Sequence, residues 1–315
     1  VKGVSAKVIT VAQLGGDCYP TTPIGINLPN AGWIRRDHGS KSVTMENITY
    51  AYDQASSGSG MLEEFCYSEQ EVKRAKEFGP MAGNLHTDLH ECLGHGSGQL
   101  LPGVTPEKLK NYHSPIEEAR ADLFALYYLA DPKMIELGLI PSLDVAWAEY
   151  DGYIRNGMMT QLTRIELGKS IEQAHMRNRA LIAHWCFEKG ASENIIEKKT
   201  RDNKTFYVIN DYQKLRTLFA ELLKEIQRIT SEGDFAAAKM LVETYAVKIE
   251  PTLHKEVLDR YAALKLAPYG GFMNPLFVPV EKDGKIIDIK VEYPENYVEQ
   301  MMKYSKEFSF LPNYN

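Results

Sequence analysis

Residues 84–100 read NLHTDLHECLGHGSGQL, and inside them His90-Glu91-Cys92-Leu93-Gly94-His95 nearly spells a zinc-protease helix with one residue too many. The common motif, H-E-x-x-H, sets two histidines four apart on one helical face. On a regular helix, positions four apart lie roughly 40° apart around the axis, whereas positions five apart lie roughly 140° apart. A regular helix therefore sends His90 and His95 to different faces. One widened turn of π type, bonded i to i+5, returns both rings to one side, and such bulges concentrate at functional sites. Gly94 supplies backbone freedom and space for the wider turn.

Catalytic zinc takes three protein ligands and keeps one position open for water. The third ligand is expected from the next helical segment, where EEARAD gathers Glu117, Glu118 and Asp122, with Glu118 and Asp122 on one face. One of these carboxylates on the metal and two behind the histidines would use the whole cluster. Glu91, beside His90, is placed to act as the base that activates water. The same segment has a blander reading. Ser114 resembles an N-cap, Pro115 the first helical residue and Glu117 the distal half of a capping box.

Outward from this centre, helical periodicity dominates. Residues 68–79 lead into the histidine segment, 114–131 follow it, and 141–166, 170–190, 211–233, 234–246 and 251–266 continue the pattern. Strand character lies near the ends. Residues 5–16 and 41–45 read as strands, 205–210 as a short strand, and 276–293 as a hairpin turning at Asp283-Gly284 before a last helix over 295–308. Residues 19–43 show prolines, glycines and no period, so they read as loop up to the strand at 41–45. The expected class is α+β, predominantly α-helical. A helical zinc-binding lobe is accompanied by a smaller β-containing part built from both chain ends. The expected domains are 1–60, 61–266 and 267–315, the helical catalytic domain being the middle one.

The 315 residues carry 44% apolar and 25% charged side chains with a formal net charge of -6, as a globular protein would. Lysines and arginines are scattered rather than striped, which argues against nucleic-acid partners. No apolar run is long enough to span a bilayer, so no membrane partner is expected. Cys18, Cys66, Cys92 and Cys186 form no C-x-x-C pair, and a reducing, cytoplasmic setting is the simplest reading.

H-E-C-L-G-H followed by E-E-A-R-A-D resembles the paired signature of the dipeptidyl peptidase III family of zinc exopeptidases, in wording closest to bacterial members. The resemblance runs from PTTPIGINLPN through QAHMRNR to the closing hairpin. It implies one zinc ion per chain held by His90, His95 and Glu118, with Glu91 as general base and Glu117 and Asp122 orienting the histidines. It further implies that His175 steadies the transition state, that Arg179 holds a substrate carboxylate, and that Asn27 and Asn30 bind the N-terminal part of the substrate. The implied activity is release of dipeptides from the N-termini of short peptides. The alternatives are a zinc endopeptidase, or a catalytically weak metal- or peptide-binding fragment. Family members are longer, with two lobes around a cleft, so an N-terminal lobe of the same enzyme is an expected partner. The tyrosine that such a lobe contributes has no counterpart here, nor is there an arginine after Arg260. Zinc binding is expected to survive both departures.

Overall fold

The computed structural model describes residues 5–11, 24–28, 32–39, 41–266, 274–294 and 296–310. Its first strands are β1 (Ser5–Ile9), β2 (Gly25–Leu28) and β3 (Lys41–Met45), joined in one sheet in the order β1–β3–β2. Two short helices lie among and after them, α1 (Gly32–His38) and α2 (Glu46–Ser56). The stretch expected to be loop thus holds both β2 and α1, and α2 carries no clear period in the sequence. Among the described side chains of α2, Ile48 alone is fully buried, packed with Val11 and Met45, and the Asn47 side chain adds a polar tie. Asn47 accepts from the Val11 amide at 2.9 Å and donates to its carbonyl at 2.8 Å, imitating a strand partner.

The chain divides into two compact units. The smaller takes residues 7–26, 43–58 and 267–315, and so draws on both chain ends. Its distal portion is the hairpin of β6 (Leu276–Lys282) and β7 (Lys285–Glu292) and a final helix, α12 (Tyr297–Phe308). Asp283 and Gly284 both have positive φ, 52° and 70°, which suits a tight hairpin turn.

The larger unit takes residues 1–6, 27–42 and 59–266 and is mostly helical. It contains α3 (Met61–Phe65), α4 (Glu69–Leu89), α5 (His113–Leu129), α6 (Pro132–Glu136), α7 (Asp144–Met158), α8 (Ala174–Lys189), α9 (Tyr212–Glu232), α10 (Phe235–Tyr245) and α11 (Pro251–Ala263). Helix α5 is the core helix. Ile116, Ala119, Ala121, Leu123, Ala125, Leu126 and Leu129 are all fully buried, and the acidic residues Glu117, Glu118 and Asp122 are largely covered too, so the helix is enclosed nearly all round. It packs against α4, α8 and α9. Helix α9 is the opposite case, burying Leu215, Leu218, Phe219, Leu222, Ile226 and Ile229 along one stripe. Helix α7 meets α8 at Gly157, where a Cβ would lie 2.4 Å from the Arg179 carbonyl oxygen. Only glycine permits that approach.

Several features differ from those the sequence suggests. Helix α5 begins at His113 directly after a 3₁₀ segment, Pro106–Tyr112, so Ser114 lies inside it and makes no cap. Helix α7 stops at Met158 and gives way to a 3₁₀ turn over Thr160–Arg164 instead of running on towards glycine. The strand at 205–210 has a partner: β4 (Ile196–Arg201) pairs antiparallel with β5 (Lys204–Ile209). Charged Glu197, Lys198 and Lys199 mask β4 in the sequence, and Asp202 and Asn203 make its turn with φ 52° and 58°.

Arg260 ties this hairpin to α3 and α11. Its guanidinium donates to Glu64 Oε1 and Glu256 Oε1, both at 2.8 Å, and to the Thr205 carbonyl at 2.7 Å. It also lies over the rings of Phe65 and Phe206, 4.3 and 4.9 Å from their centroids. Removing one member of a buried ion pair strands the others without compensation. Arg260→Met, which keeps much of the bulk, is expected to cost about 3–5 kcal/mol of unfolding free energy in a denaturant titration.

Candidate active site

Helix α4 starts with Ser68 as cap, its hydroxyl accepting from the Glu71 amide at 3.2 Å. It runs without a break into a single π turn over His90–Gly94. The His95 amide bonds the His90 carbonyl at 2.9 Å, the i-to-i+5 bond that two histidines at this spacing require. Gly94 serves the turn differently from the expectation. It has no left-handed backbone; instead, a Cβ there would sit 2.6 Å from Ala121 Cα and 2.9 Å from its carbonyl oxygen. Close approach of α5 is what demands glycine.

That approach brings the acidic face of α5 to the two rings. His90 Nδ1 meets Asp122 Oδ1 at 2.6 Å, and His95 Nδ1 meets Glu117 Oε1 at 2.9 Å. A carboxylate on Nδ1 fixes the tautomer with the proton there and leaves the Nε2 lone pair facing the other way. Both Nε2 atoms face Glu118, whose Oε2 lies 3.4 Å from His90 and 3.7 Å from His95. With bonds of 2.0–2.1 Å, ligand atoms around a tetrahedral ion stand about 3.3 Å apart, close to the separation of Glu118 Oε2 from each imidazole. His86, His90 and Asp122 form a second group, but their contacts of 2.6 and 3.1 Å are hydrogen-bond lengths. Of the two groups found among the described residues, that of His90, His95 and Glu118 is the one whose carboxylate stands from its imidazoles at more than hydrogen-bond length.

The same contacts set the charge states. Burial works against an ionised Glu118, but the two imidazoles, with His175 nearby, hold it well below the usual carboxylate range. Burial likewise opposes the His90 imidazolium, yet hydrogen bonds to Asp122 and Glu118 carry it up to about 9. Glu117 is held down at about 2 against its burial by His95 and by Arg120, which grips both its oxygens at 2.7 and 2.9 Å. Glu117 therefore works for His95 and not as the far half of a capping box. Such a set, acidic oxygen and imidazole nitrogens drawn to one point, is suited to a divalent cation.

Glu91 is buried beside His90. The Asn27 amide, also buried, donates to the Glu91 carbonyl at 3.3 Å and to Ser42 Oγ at 2.7 Å. His175, in the first turn of α8, is half-exposed and has Nε2 3.4 Å from Glu118 Oε2. Its Nδ1 lies 3.0 Å from the Gln173 side-chain nitrogen; accepting there leaves the ring proton on Nε2, towards the site. Arg179, one turn further along α8, makes no hydrogen bond or ion pair among the described residues. Asn30 lies outside the described residues.

Sequence reasoning passed over the layer behind Asp122. Tyr153 donates to its Oδ2 at 2.6 Å and Asn178 at 2.7 Å, while His86 shares Oδ1 at 3.1 Å and turns its other nitrogen to Glu149 at 3.0 Å. His86 was within reach, since it stands four residues before His90 on one helical face. Tyr153 and Asn178 come from two other helices and leave no local signal.

A model of peptidase family M49 matches residues 17–112 and 104–262. The chain belongs to peptidase family M49. Among curated relatives, dipeptidyl peptidase 3 of Homo sapiens is 26% identical, covering 83% of this chain and 40% of that protein. Nudix hydrolase 3 of Arabidopsis thaliana is 29% identical, covering 84% of this chain and 32% of its own. The solved structure of DPP III from Caldithrix abyssi superposes with a TM-score of 0.63 at 26% identity, over 82% of this chain and 47% of that one. The chain thus spans less than half the length of the relatives it matches. The predominantly helical α+β fold agrees with that structure.

Gly94→Ala is expected to force α5 away from the π turn. Thermal or chemical unfolding should show a loss of about 1–3 kcal/mol, the usual cost of overpacking. Affinity for a divalent ion should fall with it in a metal titration.

Proposed function

We propose that this chain carries the catalytic part of a zinc metallopeptidase that releases dipeptides from the N-termini of short peptides. The observation that carries the reading is the spacing of His90 Nε2, His95 Nε2 and Glu118 Oε2 at ligand separations, with the first two held from behind by Asp122 and Glu117. Membership of a peptidase family gives the reaction class, and the dipeptidyl peptidase 3 relatives suggest the length of the product. Zinc suits two imidazoles and a carboxylate with an open fourth position, and when bound it supplies a Lewis acid that polarises the scissile carbonyl and acidifies water.

The chain's own residues do the rest. His90, His95 and Glu118 hold the ion. Glu91 takes a proton from the attacking water and passes it to the leaving amine. His175, with its Nε2 proton towards the site, donates to the carbonyl oxygen as negative charge gathers on it. Asn27, held at the Glu91 backbone, and Asn30 are assigned to the substrate's N-terminal end, and Arg179, with its donors unspent, to a substrate carboxylate. We assign catalysis to residues 61–266, with 1–60 and 267–315 as parts of a second lobe and an N-terminal lobe of the same enzyme as partner. No helix among the described residues is long and apolar enough to cross a membrane. The free thiols of Cys66, Cys92 and Cys186 fit a reducing compartment, and we place the enzyme in the cytoplasm.

Hydrolysis of dipeptidyl-arylamides, by this chain and by a longer one carrying the N-terminal lobe, tests the activity. Rapid cleavage of long, N-terminally blocked peptides would make it an endopeptidase instead, and zinc uptake without turnover by either chain would leave a binding fragment. Glu91→Ala is expected to retain zinc at wild-type stoichiometry by elemental analysis while losing turnover; loss of the metal would refute a base that is not a ligand. Glu118→Ala should lose zinc at low free metal, and an unchanged stoichiometry would put the third ligand elsewhere.

A further inference from the structure

Asp122 lies one step back from the ligand atoms and is the most heavily bonded carboxylate of the site. Its Oδ1 receives His90 and His86, and its Oδ2 receives the Tyr153 hydroxyl and the Asn178 amide. With four donors on two oxygens its acceptor capacity is filled, and the plane of the carboxylate is fixed. Tyr153 sits on α7 and Asn178 on α8, the two helices brought together at Gly157. Asn178 is completely buried, and its own Oδ1 finds no hydrogen-bond partner among the described residues. An apolar side chain in that place would avoid the penalty of a buried, unmet carbonyl. The amide is thus disadvantageous to the core except for the donor it gives to Asp122.

We propose that Tyr153 and Asn178 are positioning residues for the metal centre: by occupying Asp122 Oδ2 they aim Oδ1 at His90 Nδ1 and so fix the direction of His90 Nε2. The proposal rests on the reading of His90 as a zinc ligand. Without these two donors the carboxylate is free to turn about its Cβ–Cγ bond, and the imidazole loses its fixed plane and tautomer. Partners of this kind behind a ligating histidine are typically worth 10–100-fold in metal affinity.

The test uses Tyr153→Phe and Asn178→Leu, each of which removes one donor to Oδ2. Tyr150→Phe is the control. Tyr150 lies on the same helix, fully buried, and its hydroxyl bonds the Leu126 carbonyl at 2.8 Å, away from the carboxylates. Zinc affinity is measured by chelator competition, the visible spectrum of the Co²⁺-loaded protein reports ligand geometry, and circular dichroism follows unfolding. Tyr153→Phe and Asn178→Leu are expected to bind zinc about 10–100-fold more weakly and to shift the Co²⁺ bands. Tyr150→Phe should lose stability with affinity and spectrum unchanged. The inference fails if whichever of Tyr153→Phe and Asn178→Leu folds loses stability yet binds both ions as the wild type does. A wild-type chain that takes up neither ion would instead overturn the metal reading, and this inference with it.

Discussion

Everything at the centre of the larger unit follows from how closely α5 lies against the π turn. There is no space for a methyl group between Gly94 and the backbone of Ala121. At that separation Asp122 and Glu117 meet the Nδ1 atoms of His90 and His95, and Glu118 faces both Nε2 atoms. The wide turn and the close helix need one another. The turn brings the rings to one face, and the helix gives that face something to point at.

The site concentrates negative charge in a part of the molecule with little water. Carboxylates survive burial only when paired and hydrogen-bonded, and here the pairing is graded. Glu117 leans on Arg120, and Asp122 leans on neutral donors and His86. Glu118 has its histidines at distances too long for good hydrogen bonds. Arg260 offers the contrast. It too is buried among carboxylates, but its donors are met at 2.6–2.8 Å and nothing in the cluster opens towards a ligand. Loose spacing, more than charge, separates a site from a structural ion-pair cluster.

Much of this was legible before any coordinates. The five-residue interval between His90 and His95 dictated the π turn, because no other helical geometry brings the rings together. The long helices announced themselves by period. What stayed hidden shares a physical cause, that tertiary contacts overrode local signals. Strand β2 and helix α1 lie in a segment of mixed propensity, and β4 is too charged to look like a strand until β5 pairs with it. The Ser114–Glu117 box is sound local chemistry, but Glu117 is drawn to His95 and Arg120 and the helix starts two residues earlier, at His113. Of the two reasons the sequence offered for Gly94, freedom of the backbone and space, it is space that the packing uses, for the approach of α5. Tyr153 and Asn178 could not have been picked from sequence, since each lies on a helix remote along the chain from Asp122, among other polar residues from which nothing local distinguishes it.

The separation of these groups along the chain has a temporal side. The ion-facing atoms and their immediate supports fall between His86 and Asp122, on helices that are neighbours in sequence, so little loop-closure entropy opposes their meeting. The donors that immobilise Asp122 arrive later in the polypeptide, on α7 and α8. A nascent chain can therefore bring the two histidines and their carboxylates together early, while Asp122 acquires its fixed orientation only when those later helices dock. The order at this centre is then a product of late folding as much as of the residues that meet there.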